Sequence, residues 1–197
     1  MKKGMIYIHG KGGNAAESAH YAPLFPDYDV IGLDYQAQTP WDAKEEFTSF
    51  YDAFCQEHSA VSIIANSIGA FFALHALGSK EIAKAYFISP VVNMERLISD
   101  MMQWANVSEE TLHEQGCIET AFGEILSWEY LSLVRAHPVS WNIPTRILYG
   151  REDHLQSIDT IQTFAAQIGA EVTVMDDGEH WFHTDRQMAF LDDWIRR

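Results

Sequence analysis

Several things are scarce in this chain of 197 residues. Cysteine occurs only at Cys55 and Cys117. Two thiols so far apart give no disulfide framework and lack the close spacing of a zinc or redox pair, so a reducing compartment is expected. Basic residues are few: 13 Lys and Arg stand against 28 Asp and Glu, a formal charge of −15. A field of that sign repels phosphates, which makes nucleic acid and anionic membranes poor partners. No apolar run approaches the length of a membrane span. The opening stretch Met1–Gly10 has no apolar core of signal length and no cleavage site, so a cytoplasmic protein is expected. Neither G-x-x-x-x-G-K-[S/T] nor G-x-G-x-x-G occurs, which removes the usual phosphate cradles. There is no internal repeat, linker or low-complexity segment.

What is present is a folding composition. Hydrophobic residues make up 47% and charged residues 21%, and the length suits one domain spanning 1–197 with a sizeable core. Six short apolar runs read as strands: Met5–Ile8, Val30–Leu33, Val61–Ala65, Ala85–Ile88, Thr145–Tyr149 and Glu171–Met175. Their near-continuous apolarity predicts strands buried on both faces of a parallel sheet. The segments between them read as helices. Phe47, Phe50, Tyr51 and Phe54 make one stripe, behind a Thr39 cap and Pro40. Ile68–Leu77 is apolar almost all round, a buried helix ended by Gly78. Ser157 caps a helix closed by Gly169, and Thr184 with Gln187 forms a capping-box pair for the last one. Alternating strands and helices imply an α/β fold. The stretch between Pro90 and Trp141 breaks the rhythm. Met94, Leu97, Ile98 and Met101 have helical spacing, as do Ile118, Phe122, Ile125 and Leu126, so a small helical insertion is expected there.

Four stretches carry chemistry. In Val61–Ala70 a strand meets Asn66-Ser67-Ile68-Gly69 and a helix starts at once. Read locally, Ser67 either caps that helix or is presented as a nucleophile on a tight turn. In Ile6–Asn14 a strand ends in a glycine-rich turn that is either an oxyanion or phosphate cradle or a plain turn, with His9 stabilising it. Tyr149–His154 and Asp176–Phe182 place Asp153 and His180 directly after strands. In a parallel sheet the carboxyl ends of strands share one edge, where such folds bind ligands. All four stretches converge there.

On these residues the chain resembles the α/β-hydrolases over nearly its whole length. The order Ser67, Asp153, His180 is that fold's Ser…Asp…His order. The Gly150-x-x-Asp153 and Gly178-x-His180 settings are similar to its acid and histidine loops. The elbow departs in reading Ala65-x-Ser67-x-Gly69. The resemblance implies a mostly parallel sheet of about six strands, lacking the family's first two, with the insertion at about 91–142 as a small helical cap. It also implies acyl transfer with no metal or organic cofactor. Ser67 is then the nucleophile, His180 the base and Asp153 the group that orients it. Oxyanion donors are the N–H groups of Ile68 and Lys11, with Gly12 the alternative to Lys11.

Rival assignments are specific. His183 is the competing base; Asp34 and Asp100 are the competing acids. His154 sits on the acid's own loop, badly placed to reach Ser67. His75 falls in the buried helix as a core histidine, and His20, His58, His113 and His137 have no metal-ligand spacing. Met101, Trp104, Phe122 and Trp181 are candidate substrate-binding residues. The expected activity is hydrolysis of a small, fairly apolar carboxylic ester. The alternatives are a thioesterase or aminopeptidase-like amidase, a non-catalytic ligand-binding module on the same scaffold, or a flavodoxin-like nucleotide binder. The sequence does not specify an oligomeric state.

Overall fold

A computed structural model describes residues 1–197. In chain order the elements are β1 (Lys3–Ile8), α1 (Ser18–Tyr21), β2 (Tyr28–Gly32), α2 (Pro40–Cys55), β3 (Val61–Asn66), α3 (Ile68–Ala76), β4 (Ile82–Ile88), α4 (Met94–Trp104), α5 (Glu109–Gln115), β5 (Cys117–Glu119), β6 (Ile125–Ser127), α6 (Trp128–Ala136), β7 (Thr145–Gly150), α7 (Ile158–Ile168), β8 (Glu171–Met175) and α8 (Asp185–Arg196). They form two compact units: Met1–Val92 with Ser140–Arg197, and Asn93–Val139. No helix is long and apolar enough to cross a membrane.

The first unit is built on a six-stranded, wholly parallel sheet in the order β2-β1-β3-β4-β7-β8. Each of the six apolar runs supplies one strand. Burial is uniform in β7, in β1 after Lys3, in β3 before Asn66 and in the second half of β4, where Ile6, Ile8, Ile63, Ile64, Ala65, Phe87, Ile147 and Leu148 are all inside. The edge strands differ from expectation. Burial alternates along β2, with Ile31 41% exposed, and β8 is only partly covered. The apolar side chains of an edge strand are therefore not evidence of two buried faces.

Chain order reverses between β1 and β3. From β1 the sheet grows outward to β2, then resumes on the other side with β3, β4, β7 and β8. Such a switch point leaves a crevice above the strand carboxyl ends. The glycine-rich turn follows β1 there, and Ser67 follows β3.

Helices cover both faces because their stripes are apolar. On one face Met5, Tyr7, Ile64, Tyr86 and Leu148 pack with Tyr21, Phe25, Leu191, Trp194 and Ile195. Full burial of a large apolar side chain contributes about 1.5–3 kcal/mol. Elsewhere α3 contacts β1 and β3, and α2 packs on α3 through the Phe47 and Phe72 rings. The capping signals are used. Thr39 Oγ1 accepts from Asp42 N–H (3.2 Å), Ser157 caps α7 with Gly169 left-handed at its end (φ +69°), and Thr184 with Gln187 closes a capping box. Gly78 is the exception. The helix ends at Ala76, and Gly78 is needed for a close approach instead: a Cβ there would lie 2.6 Å from the Ser140 carbonyl oxygen.

The second unit corrects the expectation of a purely helical insertion. Between α5 and α6 it contains an antiparallel hairpin, β5 with β6, pairing Cys117 with Ser127 and Glu119 with Ile125. Ile118, Ile125 and Leu126 lie on strands, and Phe122 is in the turn. That turn is set by Gly123 at φ +83° and by the Thr120 N–H donating to Glu124 C=O (2.8 Å). Three-residue strands are too short for alternation to stand out against a chance helical spacing; the readable signal was the glycine. Arg135 on α6 ties the unit together, pairing with Glu95 and Glu109 at 2.7 Å each.

Candidate active site

Ser67 occupies the strand-to-helix turn with φ +52° and ψ −122°, a backbone conformation L side chains rarely adopt. Holding a residue there costs roughly 1–3 kcal/mol, so surrounding contacts must impose it. They are visible. Ser67 N–H donates to Ile88 C=O (3.0 Å), and Ser67 C=O accepts from Val91 N–H (3.1 Å). Small neighbours make room: a Cβ on Gly69 would fall 2.3 Å from the His9 carbonyl oxygen, and one on Gly10 would lie 3.0 Å from Ser67 Cβ. The Ser67 side chain makes no capping bond to α3. Its hydroxyl points elsewhere.

It meets His180. Ser67 Oγ and His180 Nε2 are 2.8 Å apart, and His180 Nδ1 is 2.7 Å from Asp153 Oδ2. An ionised carboxylate only accepts, so the imidazole carries its proton on Nδ1 and Nε2 accepts from the serine hydroxyl. The Asp153 side chain is fully buried. Its second oxygen, Oδ1, accepts from Leu155 N–H (2.8 Å) and Gln156 N–H (3.4 Å), so the buried charge is hydrogen-bonded on both oxygens.

The loops bearing acid and base touch backbone to backbone. A Cβ on Gly150 would lie 2.3 Å from Gly178 C=O, and one on Gly178 would lie 2.9 Å from Gly150 Cα. Glu152 N–H donates to Gly178 C=O (2.9 Å) and Arg151 N–H to Met175 C=O (2.9 Å). Beneath them Tyr149 donates its hydroxyl to Gln156 C=O (2.8 Å). Burial, and then the Asp153 charge, push this phenol above its ordinary range, keeping it a neutral donor.

The glycine-rich turn lies against the elbow. Gly13 N–H closes it onto Gly10 C=O (3.1 Å), and Gly12 has φ +78°. His9 is buried, donates Nδ1–H to Gly10 C=O (2.9 Å) and stacks on Tyr35 at 4.2 Å; Tyr35 in turn donates to His9 C=O (2.7 Å). Behind it Tyr7 donates to Glu17 (2.5 Å); burial first, then Tyr21 and Glu17, raise the Tyr7 phenol far above its usual range. Ile68 opens α3, and the N–H groups of a first turn have no acceptor within the helix.

No protein-family model and no curated protein matches this sequence. Solved structures do match it in shape. Alpha/beta hydrolase domain-containing protein 10 from mouse aligns with a TM-score of 0.76 at 15% identity, over 98% of this chain and 87% of that one. Est1E from Butyrivibrio proteoclasticus gives 0.75 at 12%, over 99% and 85%. An esterase from Pyrococcus furiosus gives 0.61 at 19%, over 100% and 82%. The chain has the α/β-hydrolase fold.

In this α/β-hydrolase fold the rival residues have bonding partners other than those of the Ser67–His180–Asp153 row. His183 bonds Nδ1–H to the Trp181 carbonyl (2.8 Å) and lies 3.4 Å from Glu179. Asp100 pairs with Arg96, and Asp34 is exposed. His75 packs edge-on against Phe71. No group of three or more His, Cys, Asp or Glu could hold a metal ion.

The four candidate substrate residues divide between the units. Met101 is half-buried on α4, while Trp104 and Phe122 are exposed and meet edge to face at 6.2 Å within the second unit. Trp181, 68% exposed, stacks on His183 in the first. It borders a cavity of about 860 Å³ shared with His180, Leu155, His154, Glu152 and Glu179. Two residues escaped the sequence reading. Buried Gln187 donates to Asp177 C=O and Glu179 (3.2 Å each) and accepts from His183 N–H (3.1 Å), bracing the histidine loop from α8. Its capping-box position was a signal for the helix, not for this second use. Gln156 is the other, and nothing in its local sequence marks it.

Proposed function

We propose that the chain is a serine hydrolase that cleaves a small, fairly apolar carboxylic ester through an acyl-Ser67 intermediate. The observation that carries this reading is the continuous hydrogen-bonded row Ser67 Oγ, His180 Nε2, His180 Nδ1, Asp153 Oδ2, with steps of 2.8 and 2.7 Å. A serine hydroxyl is a weak nucleophile until a base takes its proton. His180 Nε2 accepts that proton as Ser67 Oγ bonds to the acyl carbon. Asp153 holds Nδ1–H and stabilises the imidazolium that forms. The protonated ring then hands the proton to the departing alkoxide. Water attacks the acyl-serine by the same route in reverse, releasing the acid and restoring Ser67.

The oxyanion is received by the N–H of Ile68 and one from the turn after Gly10. That second donor is the N–H of Lys11, with Gly12 the alternative; Gly13 N–H closes the turn on Gly10 C=O. One such donor is worth roughly 3 kcal/mol in the transition state. The presence of an esterase among the similar structures supports an ester as the bond cleaved. The charge of −15 supports an uncharged substrate. Trp181 and Leu155 give the cavity beside His180 an apolar border.

The test is hydrolysis of a graded series of 4-nitrophenyl esters by the wild type and Ser67→Ala, with fluorophosphonate labelling alongside. Turnover of short or medium acyl chains, lost by at least about a thousandfold in Ser67→Ala, is the expected result. Wild-type rates in Ser67→Ala would remove the serine mechanism. Absence of both turnover and labelling would favour a ligand-binding module.

A further inference from the structure

Gln156 is 2% exposed, yet it is a polar side chain at the centre of the acid loop. Its Oε1 accepts from Val92 N–H (3.1 Å), and its Nε2 donates to Leu155 C=O (3.0 Å). Those two partners fix the amide's orientation, since a backbone N–H needs the oxygen and a carbonyl needs the nitrogen. The peptide unit between Leu155 and Gln156 is therefore held at both ends. Its C=O is bound by the Gln156 amide, and its N–H points at Asp153 Oδ1 (3.4 Å).

The other end of this contact reaches the nucleophile. Val92 follows Val91, whose N–H donates to Ser67 C=O (3.1 Å), and this segment leaves β4 at Ile88, whose C=O accepts from Ser67 N–H (3.0 Å). The segment is itself strained and buried: Ser89 has φ +43° and no exposed surface. The segment after β4 that clamps the elbow backbone and the loop that carries the acid are thus joined by one side chain, 64 residues along the sequence from Val92.

We propose that Gln156 is a positioning residue that holds the nucleophile turn and the acid loop in register, a role that rests on the serine-hydrolase reading above. It touches no reacting atom. It acts through Val91 and Val92 on Ser67, and through the Leu155–Gln156 peptide on Asp153. Displacing catalytic groups by about an ångström can lower a rate by roughly a hundredfold without changing how substrate is held.

The experiment is Gln156→Met, near in volume and unable to make either amide bond, measured in the full chain. The expected result is a kcat lower by about ten- to a hundredfold with KM within about twofold. The low-field proton resonance of the His180 Nδ1–H bound to Asp153 should move or broaden. Thr39→Ala, a cap far along the chain that costs about 1 kcal/mol, should leave both unchanged and so separates positioning from general loss of stability. Gln156→Asn, too short to span both partners, is the second variant should Gln156→Met not fold. Wild-type kcat with an unmoved resonance would overturn the role, as would a change confined to KM. Failure of both variants to fold would assign Gln156 to stability alone. Activity that survives Ser67→Ala would instead sink the serine-hydrolase reading itself.

Discussion

The torsion angles at Ser67 separate two effects that one alanine substitution merges. Ser67→Ala removes the hydroxyl but keeps a Cβ at φ +52°. Ser67→Gly removes the hydroxyl and the strain together. Strain relief of roughly 1–3 kcal/mol exceeds the roughly 0.4–1 kcal/mol that glycine loses by freeing the unfolded chain. Both variants should be inactive, with Ser67→Gly the more stable by about 1 kcal/mol, read from urea midpoints at unchanged slope. A Ser67→Gly protein less stable than Ser67→Ala would mean that the elbow stores no strain. Asp153→Asn tests the other end of the row. The carboxamide turns a donor toward the imidazole and favours the wrong tautomer, so kcat should fall by roughly ten-thousandfold while the protein stays folded. Ser67, Asp153 and His180 were legible because each stands directly behind an apolar strand, where chain order alone brings them to one edge. Gln156 was not legible, because its role is defined by a backbone N–H at Val92 that only the fold brings near.

At the level of elements, the acid and histidine loops meet through two glycines. Gly150 and Gly178 approach until neither tolerates a Cβ, at 2.3 Å from a carbonyl oxygen and 2.9 Å from a Cα. Backbone atoms cannot swing aside as a flexible side chain can. Gly150→Ala should therefore part the loops, draw Asp153 away from His180 and reduce kcat/KM by about a hundredfold or more, with a lower melting temperature. Gly12→Ala is a useful contrast, since nothing lies within 4 Å of its added methyl and only the φ of +78° opposes it. Retention of full activity in Gly150→Ala would mean that the loops are held from elsewhere, with Gln187 the first candidate. The elements themselves were readable in proportion to length. Long strands and capped helices lie where their patterns put them. The β5–β6 hairpin was missed because three residues a side cannot establish a period of two, and four apolar residues fell by chance at helical intervals.

For the molecule as a whole, the charge of −15 leaves the fold unspecified but acts on whatever approaches the site. The cavity beside His180 deepens that bias, since Glu152, Asp177 and Glu179 line it and no Lys or Arg does. Arg151 and Arg186, which flank residues of the cavity lining in sequence, pair with Asp176 (2.7 Å) and Asp177 (2.6 Å). An anionic ligand must climb this field to reach the cavity. The consequence is measurable with two esters of one leaving group, 4-nitrophenyl butyrate and its carboxylate-bearing analogue 4-nitrophenyl hemisuccinate. At low salt the anionic ester should react with a kcat/KM several-fold below the neutral one, after each is divided by its own rate of alkaline hydrolysis. Raising ionic strength from 0.01 to 1 M shortens the screening length from about 30 to about 3 Å. The anionic ester should gain on that change while the neutral ester serves as the control for every other effect of salt. A ratio that stays flat across the series would mean that the field does not reach the reacting centre, and that any discrimination between the two esters comes from the shape of the pocket.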